Sequence, residues 1–489
     1  MKKLPIVYGA MLLTGVNLLL RFVGTSFQVY LSGRIGAEGI GLLQLVMSVG
    51  SMALVAGTAG IRTATMYLSA EEIGRNTRQN LKWVLSGCIW YSISISCLLA
   101  LGIYVFAPTI AASWIGNPAV TGALRLFACF LPVSCLTGVM VGYFTGVARI
   151  GTLAVVEVLE QGCSILCTVA LLTLWAGTDP VRSCMAVILG SSLAGCVTLI
   201  SLAVLRLLDK EPKGPRIPMA KRLAQTALPL AVADDLRTGI STVENLMVPR
   251  RLALYPGTAS ALASFGTVCG MVFPVLMFPC ALLFGLTELL IPELARCRAA
   301  GNTQRICYLV RRSLRLALLY GSLCAGILFL SARDLGMGLY RSRDAGEYLR
   351  WFAPLAVLLY CDAITDAMIK GLGQQTYSVR YNILTNCMDV FFLYFLLPAY
   401  GIFGYFVSFL VTHVVNYLLS LGRLLKIVPT KLPLRDAVMT ILTTVGAVIL
   451  AGFIRHPWWR AGIFAALQVC LLRITGLIST EDLPLRRKK

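Results

Sequence analysis

The apolar residues of this chain gather into runs of about 20 or more, broken by short polar or Pro/Gly-containing stretches, and a helix of that length crosses about 30 Å of hydrocarbon. Leu42–Leu68 and Thr440–Ile454 lack the strict alternation of a transmembrane barrel strand. The pattern predicts an all-α polytopic membrane protein with about fourteen transmembrane helices. They fall near residues 5–31, 40–68, 83–107, 122–144, 152–176, 183–206, 223–249, 259–290, 313–332, 348–370, 378–398, 402–422, 436–454 and 458–478. The run from Pro5 to Leu31 is too long for the apolar core of a signal peptide and reads as the first span.

Composition agrees with a membrane setting. Of 489 residues 57% are hydrophobic and 13% charged, about half the charged share of a soluble domain, so lipid must cover the apolar surface. The net charge of +21 is mainly a topology signal. With the amino terminus inside, the even-numbered connections collect Arg75, Arg78 and Lys82, then Lys210, Lys213, Arg216, Lys221 and Arg222. Arg296, Arg298, Arg305, Arg311 and Arg312 follow, then Lys426, Lys431 and Arg435. The positive-inside rule then sets both termini in the cytoplasm. Arg250, Arg251, Arg333, Arg341 and Arg343 are the exceptions outside. The same basic excess suits an anionic inner leaflet, so no nucleic acid partner is implied.

Two segments six spans apart resemble each other. Leu124-Arg125-Leu126-Phe127-Ala128 precedes the turn Gly142-Tyr143-Phe144-Thr145-Gly146, and Leu349-Arg350-Trp351-Phe352-Ala353 precedes Lys370-Gly371-Leu372-Gly373-Gln374. An even separation makes the copies parallel. The expected architecture is two six-helix lobes related by a pseudo-twofold axis, with two further C-terminal helices. Residues 1–208 form the N-lobe, 209–222 a cytoplasmic linker, 223–428 the C-lobe, and 429–489 the last two spans and a basic tail.

Charges inside the spans carry the candidate chemistry. An arginine at mid-span costs about 3 kcal/mol even on mild insertion scales and needs a partner, a water-filled cavity or a snorkelling route. Arg125 and Arg473 lie near span ends and snorkel; Arg62 suits snorkelling and cavity lining equally. Arg21 and Arg237 lie deeper, in spans one and seven, equivalent positions on opposite lobes. Asn17, Arg21 and Gln28 share one helical face, as do Asp234, Arg237, Ser241 and Glu244. Two readings stand: an Asp234–Arg237 ion pair that locks the bundle, or a cavity-facing substrate or ion site. Glu157, Glu160, Gln161 and Ser164 in span five, and Asp362, Asp366 and Lys370 in span ten, are further polar stripes, either coupling groups or interhelical glue. So are Asn382, Asn386 and Asp389 in span eleven, which read better as structure.

Sixteen cysteines mostly inside apolar runs act as small hydrophobes, and two histidines without a CxxC pair give no metal site. No cofactor is expected. The chain has no HExxH, GxSxG or GxxxxGK[ST] motif and no long soluble segment, which argues against an enzyme. A non-transporting membrane scaffold is a further class.

Leu124–Gln161, Ala227–Arg298 with Val248-Pro249-Arg250-Arg251-Leu252 and Leu290-Ile291-Pro292-Glu293, and Lys370-Gly371-Leu372-Gly373 followed by Tyr400-Gly401-Ile402-Phe403-Gly404 carry a family pattern over spans one to twelve. The chain resembles the polysaccharide-biosynthesis, stage V sporulation protein B-like branch of the multidrug/oligosaccharidyl-lipid/polysaccharide exporter superfamily, with lipid II flippases as distant relatives. The resemblance implies a monomeric flippase of a bacterial plasma membrane that moves a polyprenyl-diphosphate-linked sugar outward, with H+ or Na+ as possible coupling ion. It points to Arg21, Arg62 and Arg237 for the diphosphate, whose charge suits forked guanidinium donors. Where lipid II flippases carry a second arginine six residues after the first, this chain has Phe27. The drug-exporting branch, which binds cations against acidic residues, is the alternative, with Asp234, Asp235, Glu157, Glu160, Asp362 and Asp366 as its candidates.

Overall fold

The computed structural model describes residues 6–75, 77–177, 179–208, 220–257, 260–430, 434–454 and 456–477, and every regular element among them is helical. The α-helices are α1 (Ile6–Thr58), α2 (Ile61–Gly74), α3 (Leu81–Thr109), α4 (Thr121–Gly146), α5 (Ile150–Leu171), α6 (Pro180–Leu207), α7 (Ala220–Leu252) and α8 (Ala261–Thr267). There follow α9 (Phe273–Met277), α10 (Cys280–Ala299), α11 (Thr303–Tyr340), α12 (Arg343–Phe352), α13 (Leu355–Gly371), α14 (Gln375–Ile427), α15 (Leu434–Gly452) and α16 (Pro457–Ile474). Most of the linker predicted at 209–222, and the basic tail after 477, lie outside the described residues.

Each predicted span falls on helix, with two instructive departures. First, α1 and α14 run for 53 residues each, about 80 Å of helix and well beyond one crossing. Each turns at a glycine, Gly36 with φ 73° and Gly401 with φ 58°, a backbone region that residues with a Cβ enter only at a cost. Those turns fall where the predicted spans one and two, and eleven and twelve, meet. Second, the pattern of eight helices long and apolar enough to cross a membrane, or ten if two bent pairs each count as one span, omits α16 and α7 among the described residues. Asp234, Asp235, Arg237 and Glu244 dilute the apolar face of α7.

Helix starts follow their local chemistry. Asp179 accepts the Val181 N–H at 2.9 Å ahead of Pro180, and Asn302 accepts the Arg305 N–H at 3.0 Å. Each satisfies one of the donors a helix start leaves open.

The chain forms two compact units. The first takes in Met1–Phe27, Arg34–Leu254 and Thr258–Gly266; the second takes in Gln28–Gly33, Tyr255–Gly257 and Thr267–Lys489. The units therefore do not divide at the linker, because α7 packs with the first. Arg222 at its start pairs with Glu71 and Glu72, and Thr242 farther along donates to the Ser48 carbonyl at 3.1 Å. Arg21 and Arg237, expected on opposite lobes, stand in one unit.

Inside the first unit, α4 lies close against α2. A Cβ on Gly142 would stand 2.3 Å from the Arg62 carbonyl oxygen, a helix approach that only a residue without a side chain permits. In the second unit, Gly371 at the end of α13 meets α10 in the same manner, with the Ile291 carbonyl oxygen 3.0 Å from a Cβ placed there. These are the two glycine turns that the repeat pairs. Here α15 and α16 pack on α11 through Phe464, Ala447 and Ala451, all fully buried.

Candidate functional site

The polar residues of the first unit meet along one face of α5. Positions 157, 160, 161 and 164 follow the helical period, and Glu157, Glu160, Gln161 and Ser164 line a pocket of about 280 Å³ closed on the other side by Leu20 and Phe27 of α1. Both glutamates are half-buried. Arg21, next to Leu20, is exposed and interacts with neighbouring groups. Phe27 supplies an apolar wall to this pocket.

Arg62 of α2 acts electrostatically on one of these carboxylates, Glu157. The second predicted span is interrupted at Ala59 and Gly60, which take φ of 42° and 71°, and α2 restarts at Ile61 with no side-chain cap. Arg62 thus stands in the first turn of a fresh helix, where open backbone N–H groups and the helix dipole add positive potential. Its side chain is exposed, and its charge acts on Glu157. Carboxylate and guanidinium lie within electrostatic reach, so this face carries both signs.

On α7, Asp234 and Arg237 are both exposed, and among the described residues no ion pair joins them. The locking pair expected from their i, i+3 spacing is not formed. Asp235, one residue on, instead faces the Tyr91 phenol of α3 electrostatically and keeps one buried carboxylate oxygen without a hydrogen-bond partner. Ser241 and Glu244 are half-buried, and Glu244 engages its surroundings. Gln28 belongs to the second unit, where its amide donates to the Gly270 carbonyl at 3.3 Å. The side chain of Asn17 lies outside the described residues.

The second unit holds its own polar network on α13 and α14. Asp366 pairs with Lys370 at 2.5 Å and accepts the Ser378 hydroxyl. Asp362 accepts the Asn416 amide at 2.9 Å through Oδ2, while its buried Oδ1 has no partner among the described residues. Asp389 accepts Ser408 at 2.5 Å and Thr412 at 3.5 Å. Of these three carboxylates, Asp362 alone keeps an open buried oxygen.

One cluster escapes a reading by span depth. Glu72 is 3% exposed and accepts Thr77 at 2.5 Å, Asn80 at 2.9 Å and Arg222 at 2.6 Å, while Arg222 also meets Glu71 at 2.5 Å. The adjacent acids Glu71-Glu72 at a helix end were the available signal.

A model of the polysaccharide biosynthesis protein family matches residues 6–232. Stage V sporulation protein B of Bacillus subtilis (strain 168) is 23% identical over 515 aligned positions, covering 99% of this chain and 98% of that protein. Sporulation protein YkvU of the same organism is 23% identical over 277, covering 54% and 61%. Among solved structures, lipid II flippase MurJ in an inward closed conformation superposes with a TM-score of 0.72 at 12% identity, over 95% of this chain and 98% of that one. An inward-facing multidrug resistance MATE family transporter gives 0.63 at 17%, over 84% and 98%. The fold is that of these transporters.

Proposed function

We propose that this chain, a relative of the polysaccharide biosynthesis proteins with their pattern over residues 6–232 and a flippase-like fold along 95% of its length, flips a polyprenyl-diphosphate-linked sugar from the inner to the outer leaflet. The sugar is a precursor of peptidoglycan or another cell-wall polysaccharide. The protein works as a monomer in a bacterial plasma membrane, crosses it fourteen times and keeps both termini in the cytoplasm. It carries its substrate by alternating access and catalyses no covalent step.

One observation carries the reading. Arg21, Arg62 and Arg237 are all exposed on helices of the first unit, in segments that fall within the spans expected from the sequence. Facing lipid, each would cost about 3 kcal/mol; facing a water-filled cavity, three guanidiniums form a ready receptor for a diphosphate. Arg62 gains further from its place in the first turn of α2. Chemistry separates this from uptake of a lipophilic cation, which three arginines repel. The pocket between Glu157 and Glu160 is what favours the second reading, a cation-coupled multidrug exporter.

Energy comes from an ion gradient, since the chain has no nucleotide-binding motif. Asp362, with its open oxygen, is the preferred coupling group; Asp366 is committed to Lys370 and Ser378. Proteoliposomes loaded with the lipid-linked sugar test the assignment. Arg237→Ala inserts normally and loses flipping; normal flipping by this variant rules the role out.

A further inference from the structure

The second unit contains a cleft of about 270 Å³ between α11 and α16 that the transport reading leaves unused. Leu316 and Leu319 of α11 and Val469 and Leu472 of α16 wall it, and Arg312 and Arg315 stand at one end. Positions 312, 315, 316 and 319 share a helical face, so the sequence of α11 itself puts cations below an apolar strip. The arginines lie about 15 Å of helix after Thr303, at the border of the predicted span.

The charges in this cleft do not cancel. Arg315 Nε is 3.8 Å from Asp436 Oδ2, too far for a hydrogen bond, and another of its N–H groups goes to the Leu477 carbonyl. Nε is buried without an acceptor among the described residues. Arg312 is exposed and leans on the Tyr308 ring at 5.7 Å, with no ion pair among the described residues. Among the described residues two guanidiniums thus line the cleft and one carboxylate, Asp436, stands by Arg315, beside an apolar groove.

We propose that this cleft binds an anionic phospholipid of the inner leaflet, its phosphodiester on Arg312 and Arg315 and one acyl chain along Leu316, Leu319, Val469 and Leu472. A single phosphodiester offsets the one uncompensated positive charge and gives the orphaned Arg315 N–H its acceptor. The attached chain distinguishes this ligand from inorganic phosphate, which uses only the polar end. A sugar diphosphate headgroup brings more negative charge than the one excess guanidinium among the described residues offsets. Bound there, the lipid fastens α16 to α11. The leaflet follows from the orientation proposed above, whereas the binding itself does not depend on it or on transport.

The full-length protein in detergent, titrated with phosphatidylglycerol, phosphatidylcholine or inorganic phosphate and followed by native mass spectrometry, tests the site. Phosphatidylglycerol is retained at least about tenfold more tightly than phosphatidylcholine, and inorganic phosphate at equal concentration does not displace it. Arg312→Gln, at an exposed position that does not endanger folding, weakens phosphatidylglycerol about tenfold, one charge-assisted contact's worth. Leu319→Trp obstructs the groove and weakens it with the arginines intact. Equal retention of the two lipids, an unaffected Arg312→Gln protein, or displacement by the lipid-linked sugar overturns the proposal. Loss of lipid retention with normal flipping leaves the transport assignment standing; lost flipping in Arg237→Ala with lipid retained does the converse.

Discussion

The carbonyl oxygen of Arg62 lies 2.3 Å from where a Cβ on Gly142 would stand, so the candidate substrate arginine is placed by a glycine 80 positions later in the chain. Helix α2 restarts just before Arg62, and its first turn has α4 as a close neighbour. The glycine sets how near the two helices come, and through that the position of the guanidinium relative to Glu157.

Gly142→Ala therefore pushes α2 and α4 apart. The expected cost is about 1–3 kcal/mol, the usual range for overpacking, with a lowered melting temperature and slower flipping. Gly138→Ala is the control, because a Cβ there meets only the Thr58 and Arg62 side chains at 3.8 and 3.9 Å, ordinary contacts. Equal losses in the two variants would show that the close approach at 142 does not govern the packing.

Arg222→Ala removes a cation from the buried Glu72 carboxylate. Thr77 and Asn80 still donate to it, so the loss is about 2 kcal/mol, that of one hydrogen bond to a charged group. Glu72→Gln in the same chain relieves part of it. A thermal-unfolding double-mutant cycle measures the coupling, and strict additivity of the two changes counts against the latch.

Arg237→Gln lowers flipping by about tenfold or more, the equivalent of a lost charge-assisted contact of about 1.5 kcal/mol. Arg237→Lys recovers part of the rate by keeping the charge while losing the forked geometry. Initial rates in proteoliposomes give both values. If the glutamine variant matches the lysine variant, charge recognition at this residue is wrong.

Asp362→Asn leaves the fold intact, since the amide oxygen still accepts from Asn416, and uncouples transport from the driving gradient. In the unaltered protein, collapsing the proton and sodium gradients together stops turnover. Gradient-driven flipping by the variant at the unaltered rate removes Asp362 from the coupling role.

The apolar runs and the helical class were legible in the sequence alone. Hydrocarbon thickness fixes span length residue by residue, and the cost of a charge depends on its distance from a span end. Partnership is another kind of property. The i, i+3 spacing of Asp234 and Arg237 allowed a pair that the side chains do not form, while the Asp235 charge acts on Tyr91 of α3. Packing of segments remote in sequence also put α7 with the first unit and brought Glu157 and Glu160 against Leu20 and Phe27. The same packing brought Ser378 to Asp366 and Asn416 to Asp362, and left Asp362 an open oxygen. The sequence determined the helical class and the apolar runs, because hydrocarbon thickness is counted along one helix. Only the tertiary structure decided which of the polar groups meet, because helix contact turns on the register of residues that no local pattern links.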